Sequence, residues 1–261
     1  MKFSIVTPSF NQSQFITQTI DSVISQKGSF DIEYFVMDGG STDNTVEILK
    51  EYEMLLNNNS RIKFFWQSKK DKGQSDAINQ GFQKATGDIL AFINSDDYYQ
   101  PDVFQKIATQ FSQNPHRHWL TGYSHIVDEN DRLIQKPITQ YKNFWLNNYS
   151  YSTLLILNYI SQPSTFFTKK IFNQIGKFNE KLNYTMDYDY WLKIGKNSQP
   201  IILKKYLSSF RLHSSSKSKT HYKKQFSEDF STTQIYSQNY LILFFHRFHN
   251  FLITQVYKII K

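Results

Sequence analysis

There is no cysteine among the 261 residues, which removes disulfides, thiolate nucleophiles, zinc fingers and iron–sulfur clusters together. Any metal must be held by oxygen or by histidine. Long apolar runs are missing as well. The densest clusters, Leu241 to Phe245 and Phe251 to Ile253, are interrupted by His246, Arg247, His249 and Asn250, well short of the roughly 20 apolar residues that span a bilayer. The chain is therefore not expected to cross a membrane. Nothing after Met1 has the succession of a secretory signal, because Lys2 leads into the short run Phe3 to Thr7 and then Pro8. A cytoplasmic location is expected. Acidic residues are scarce at one end only: residues 190–261 carry 12 Lys/Arg and just Glu228 and Asp229, whereas residues 1–189 carry 18 Lys/Arg and 20 Asp/Glu. The net charge of +8 is thus the sum of +10 on the C-terminal part and −2 on the rest, an asymmetry that points to a polyanionic partner, either nucleic acid or an anionic membrane surface.

What is abundant is apolar and aromatic. A hydrophobic fraction of 39% with 17% aromatics is too rich for a disordered chain and sufficient for one sizeable core. The first hundred residues alternate short apolar runs with helical patterns, the mark of βαβ units. Residues 3–7, 32–37, 62–66 and 89–93 read as strands dense in β-branched and aromatic side chains. Between them, Ile16, Ile20, Val23 and Ile24 share one helical face; Ser41-Thr42-Asp43 offers capping oxygens before a second helix; and a third runs over 75–85 with Gly87 as its stop. Further on, the pattern predicts a helix from about Pro101, two short strands over 119–123 and 125–127, and helices over 169–175, 187–196 and 222–239.

Open α/β sheets bind ligands outside the carboxyl ends of their strands. Those ends read Thr7-Pro8-Ser9-Phe10-Asn11, Asp38-Gly39-Gly40-Ser41-Thr42-Asp43, Gln67 through Gln74-Ser75-Asp76, and Asn94-Ser95-Asp96-Asp97. Such residues also make ordinary turns, but four such ends on one rim, three of them carrying carboxylates, are more than turn chemistry requires. No P-loop, no G-x-G-x-x-G and no G-x-S-x-G is present. The adjacent carboxylates Asp96-Asp97 are costly unless neutralised. A hard cation, Mg²⁺ or Mn²⁺, held by one or two carboxylates and by phosphate oxygens would do so.

These four segments, in this order and spacing, resemble the family 2 glycosyltransferases of the GT-A fold. The resemblance continues through Gln162-Pro163-Ser164, Gly176-Lys177-Phe178, Asp187-Tyr188-Asp189 and Phe210-Arg211-Leu212-His213, covering about residues 3–215. It implies an α/β fold: a Rossmann-like, mostly parallel sheet flanked by helices, a smaller mixed acceptor-side portion, and a C-terminal helical segment. Residues 1–100 would form the nucleotide-sugar half and 101–215 the acceptor half of one domain, with 216–261 as a basic amphipathic appendage. The implied activity is inverting transfer from a nucleotide sugar, a UDP-sugar, to a glycan or lipid-linked acceptor in bacterial surface polysaccharide or lipopolysaccharide synthesis.

Position by position, the resemblance gives Thr7, Pro8, Ser9 and Asp38 to the base, and Gln74 and Asp76 to the ribose and diphosphate side. Asn94-Ser95-Asp96 stands in the place of the D-x-D motif. Asp96 is the implied ligand of Mn²⁺ or Mg²⁺, with Asp97 and His213 as further candidates, although Asn94 replaces the first Asp of the pattern. Asp187 falls at the position of the general base, with Asp189 the weaker choice. Arg211 and Lys217, with Lys219, would supply a cationic lid over the phosphates, and Lys193 a further phosphate contact. Beyond Tyr222 only composition speaks: Leu241, Phe244, Phe245, Phe248, Phe251, Leu252 and Val256 recur at helical spacing with Arg247 and Lys258 among them. This basic amphipathic helix packs either on the catalytic core or on an anionic membrane surface, and no nucleic-acid partner is expected.

Overall fold

A computed structural model describes residues 1–214, 216 and 220–260, the last four through their backbone. Strands β1 (Lys2–Ser9), β2 (Asp31–Asp38), β3 (Ile62–Ser68) and β4 (Ile89–Phe92) alternate with helices α1 (Ile16–Ile24), α2 (Thr45–Leu56) and α3 (Gln74–Lys84). Then come β5 (Tyr98–Tyr99), α4 (Val103–Gln113), β6 (Trp119–Val127), α5 (Lys136–Asn147), α6 (Tyr151–Ile156), β7 (Thr165–Thr168), α7 (Lys169–Ile175), α8 (Met186–Gly195) and β8 (Ile201–Arg211). Two helices close the chain, α9 (Tyr222–Tyr236) and α10 (Tyr240–Ile260).

The strands form one mixed eight-stranded sheet in the order β3-β2-β1-β4-β7-β6-β8-β5. The β3-β2-β1-β4 half is parallel throughout, β7 runs antiparallel to both β4 and β6, and β6 pairs parallel with β8. Strand order turns back on itself at β1, between β2 and β4, and that is where the carboxyl ends open a crevice. Side chains along β1 alternate between two apolar layers. Phe3 and Ile5 join Ile16, Ile20, Phe104 and Ile107 on one face, and Val6 joins Ile78, Phe82 and Trp191 on the other.

Several expectations are corrected. The third helix ends at Lys84, with Ala85 extended, so Gly87 is not its stop. Gly87 is needed because β1 passes so close that a Cβ there would meet Ser4 Oγ at 2.5 Å and Lys2 O at 2.9 Å. The two strands expected over 119–127 are one, with its register against β8 slipping between Gly122 and Ser124. Helix α2 is capped at Asn44 without a side-chain bond, and Asp43 instead accepts the Thr45 N–H at 3.1 Å. Helices α5 and α6 were not foreseen: polar and aromatic residues of middling helix propensity carry them, and packing decides their state.

Candidate active site

The crevice is assembled from loops that hold one another. In the loop after β2, the buried Asp38 accepts the N–H groups of Gly40 (3.1 Å) and Ser41 (2.8 Å), the Ser41 hydroxyl, and the Ser68 hydroxyl from β3 (2.6 Å). Its carboxylate thus shapes the rim and has little left over for a ligand. Asn11, with φ of 52°, accepts the Thr42 N–H at 2.8 Å, and Thr7 Oγ1 lies 3.0 Å from the Tyr34 hydroxyl. Pro8 and Ser9 register against Met37 and Asp38, so the β1 and β2 ends form one edge.

At the third end, Asp76 sits in the first turn of α3 and accepts the Lys72 N–H (3.0 Å) and the Gln80 amide (2.9 Å). Gln74 Nε2 reaches Asn94 Oδ1 at 2.6 Å, and Asn94 Nδ2 reaches Asp97 Oδ2 at 3.3 Å. The amide at 94, in place of a carboxylate, can therefore both accept and donate, stitching the third rim loop to the fourth.

The fourth loop separates the two adjacent aspartates. Asp97 is fully buried and turned inward, its Oδ1 taking the backbone N–H of Arg211 at 2.8 Å. Burial pushes this carboxyl well above the ordinary range, and the neighbouring Asp96 charge adds to the rise. Asp97 is accordingly not presented to a metal, contrary to its candidacy. Asp96 faces the crevice. Its Oδ2 lies 2.9 Å from His213 Nε2, and Phe15 packs on the imidazole with ring centroids 5.0 Å apart. The structure thus brings Asp96 and His213, 117 residues apart in sequence, to one point. Among the described residues no group of three or more His, Cys, Asp or Glu is gathered for a metal. A carboxylate with an imidazole suits Mn²⁺ or Mg²⁺ only if diphosphate oxygens and water complete the shell.

Arg211 is the clearest correction. Its guanidinium is 1% exposed and donates to Asp96 O (2.9 Å), Asp128 O (3.2 Å), Glu129 O (3.3 Å) and Gln18 Oε1, with Asp131 Oδ1 at 2.9 Å. All three guanidinium nitrogens are engaged, through four hydrogen bonds and the Asp131 ion pair, and Phe15 and Tyr98 flank the plane. It is a buried brace beneath the Asp96 loop, not part of a lid. Lys217 and Lys219 lie outside the described residues. Lys193 is also corrected: it pairs with Asp189 at 2.7 Å rather than facing a phosphate.

Asp187 opens helix α8 and accepts the Tyr188 N–H at 2.8 Å. Burial raises its carboxyl to about 6, a rise that the nearby Lys142 of α5 restrains. That value suits a base working near neutrality. Asp189 is buried against Lys193 and the Tyr236 hydroxyl (2.6 Å), which leaves Asp187 as the available carboxylate. The α3 and α8 starts touch, Ser75 Oγ donating to Met186 Sδ at 2.7 Å, while the charges that act on Asp187 are those of Lys142 and Asp229.

Sequence reading missed Glu228. From α9 it accepts the backbone N–H of Tyr184 (2.7 Å), Asn183 (3.2 Å) and Thr185 (2.9 Å), and also the Thr185 hydroxyl (3.0 Å). The only available signal was its isolation in a basic segment. Lys142 was missed because its relation to Asp187 is purely spatial.

Comparison with known proteins bears on the family and the fold. A sequence model described as glycosyl transferase family 2 matches residues 4–176. An uncharacterised glycosyltransferase of Nostoc sp. is 33% identical over 143 residues, which make up 54% of this chain and 42% of that relative. The chain thus spans less than half of that relative's length. Among solved structures, the fold is similar to that of the mannosyltransferase PcManGT from Pyrobaculum calidifontis in complex with GDP-Man and Mn²⁺, with a TM-score of 0.70 at 14% identity over 93% of this chain and 68% of that one. It is similar also to S. aureus TarS 1–349 in complex with UDP-GlcNAc, with a TM-score of 0.64 at 21% identity over 89% of this chain and 65% of that one. The mixed sheet flanked by helices is that of the GT-A glycosyltransferases, and with more than half its length matched, the chain belongs to glycosyl transferase family 2.

Proposed function

We propose that this chain transfers a sugar with inversion from a nucleotide-sugar donor, a UDP-sugar, to a hydroxyl of a glycan or lipid-linked acceptor in bacterial surface polysaccharide or lipopolysaccharide synthesis. The observation that supports it is the meeting of Asp96 Oδ2 with His213 Nε2 at 2.9 Å beyond the strand ends, with the Asp187 carboxyl, raised to about 6 by burial, as the proposed base. Residues 1–100 then form the donor half and 101–215 the acceptor half. Thr7, Pro8, Ser9 and the Asp38 loop border the base, and Gln74, Asp76, Asn94 and Ser95 border the ribose and diphosphate. Asp96 and His213 would hold Mn²⁺ or Mg²⁺, which supplies positive charge to the departing diphosphate.

Asp187 accepts the acceptor hydroxyl's proton as that oxygen forms a bond to the anomeric carbon. The bond from that carbon to the diphosphate breaks from the opposite face, and its electron pair leaves with the nucleotide diphosphate. No covalent sugar intermediate on the protein is needed, since a single displacement by the acceptor inverts the centre. The Lys142 cation keeps enough of Asp187 ionised for this at neutral pH. A screen of UDP-, GDP- and dTDP-sugars for nucleotide release, with calorimetry of UDP and Mn²⁺, tests the reading. If none of these donors is turned over and UDP does not bind, or if Asp187→Asn transfers as well as the wild type, it fails.

A further inference from the structure

Helix α10 turns its polar residues His246, His249 and Asn250 inward, beside Ile242, which packs on the core. His246 is buried, its Nδ1 2.8 Å from Leu155 O and 3.1 Å from Thr233 Oγ1. His249 Nε2 lies 2.8 Å from the Tyr141 hydroxyl, and Asn250 donates to Phe226 O at 3.2 Å. Burial holds His249 down to about 4, so its imidazole is neutral at ordinary pH, and His246 Nε2 lies 3.5 Å from Asp229 Oδ2. The other side carries Leu241, Phe244, Phe245, Phe248, Phe251 and Leu252, each 45–61% exposed. A surface helix of a water-soluble domain turns its apolar stripe to the core. Here the polar residues make the intramolecular bonds, and a row of aromatic and aliphatic side chains faces out.

Beside that row, an open groove of about 310 Å³ is lined by Tyr141 and Trp145 of α5, Ile156 and Leu157 near α6, and Phe248 and Leu252 of α10. The next residue of α5 is Lys142, whose charge acts on Asp187.

We infer that the outward face of α10 lies in the interfacial layer of an anionic lipid bilayer, with the groove between α5, α6 and α10 open to take a lipid chain. Charge selects this occupant. After Asp229 the sequence has no carboxylate, whereas Arg247, Lys258 and Lys261 follow it, and the exposed Arg247 sits at the edge of the apolar row. That arrangement suits anionic headgroups around an apolar strip. A second copy would oppose like charges with no acid on either helix to pair them. Among the described residues no helix is long and apolar enough to cross a membrane, so α10 lies along the surface. A lipid-linked acceptor would then approach Asp187 from the membrane side, and only that last step rests on the proposed transfer reaction.

The test uses the whole chain with vesicles of equal parts phosphatidylglycerol and phosphatidylcholine. The wild type is expected to sediment with them, less with phosphatidylcholine alone and less in high salt. The double substitution Phe244→Glu, Phe248→Glu should weaken binding at least about tenfold while melting temperature and acceptor-independent donor hydrolysis stay unchanged. Bromine-labelled acyl chains should quench Trp145, and that share of quenching should vanish in Trp145→Phe. Equal binding by the double variant, no binding by the wild type to any composition, or a wild-type dimer that the same substitutions dissociate would overturn the inference. Identical quenching in Trp145→Phe would overturn the groove. Vesicle binding without turnover of any donor would sink the transfer reaction and leave this inference standing.

Discussion

Glu228 Oε1 accepts both the backbone N–H and the hydroxyl of Thr185, at 2.9 and 3.0 Å, and Thr185 immediately precedes the helix that carries Asp187. One carboxylate of α9 therefore ties down the backbone N–H groups of Asn183, Tyr184 and Thr185 just ahead of α8, and so holds the chain where it enters that helix. Glu228→Gln keeps the shape and weakens charge-assisted bonds, at roughly 1–3 kcal/mol. The expected outcome is a lower melting temperature and a kcat reduced about tenfold, with the donor KM nearly unchanged. A proportionate rise in donor KM would show that the clamp serves the donor instead.

Asp187 sets the acid limb of the pH profile. Its carboxyl is raised to about 6, and the base must be ionised, so log kcat/KM should fall with unit slope below about pH 6 and level off above it. Lys142→Met removes the cation that restrains this rise and should move the limb to higher pH. A limb unmoved in that variant would separate Lys142 from the base.

Stability should run the other way. A carboxyl whose folded value lies above its unfolded one costs stability once both states are ionised, and that cost is relieved as pH falls through about 6. Asp187→Asn should therefore abolish transfer yet stabilise the fold by about 1–2 kcal/mol at pH 8, with no gain at pH 4. Thermal melts at the two pH values check the sign.

Arg211→Lys tests the brace. Lysine supplies a single nitrogen on a flexible stem where a planar group reaches five acceptors with three, leaving buried carbonyls unpaired. A loss of about 3–5 kcal/mol is expected, measured by denaturant unfolding, and donor binding should fall with it. A lid arginine would instead change binding and leave stability alone.

At the Asp96–His213 pair, Asp96→Ala should remove the dependence of UDP binding on Mn²⁺. His213→Ala should weaken that binding about tenfold, in calorimetry at fixed metal. Equal UDP affinity with and without Mn²⁺ in the wild type would set aside a metal between them.

The donor half was legible because its signals are local. Strand and helix periods are written within five to ten residues, so Asp38, Asn94 and Asp96 fall at or just past the ends of strands that the periods locate, and Asp76 falls at the start of a helix. Asp187 was legible through resemblance. What could not be read depends on partners far along the chain. Arg211 looks like any basic residue until Gln18, Asp128 and Asp131 surround it, and Asp96 and Asp97 look alike until the Arg211 backbone claims one of them. The C-terminal helix showed its two faces in the sequence, but not which of them turned outward.

The loop between β4 and β5 also constrains the order of events in folding. It leaves the middle of the sheet at Phe92 and rejoins it at Tyr98 on the far edge, against β8, and its carboxylates are tied to Arg211 and His213, 114 and 117 residues downstream. Contacts at such separation form late, after loop-closure entropy has been overcome. A nascent chain can thus complete the β1–β4 edge while the Asp96 loop is still open. Donor capture then reports completion of the whole domain, and a donor held in common by both ends of the chain would raise the unfolding free energy of the entire sheet rather than of one loop.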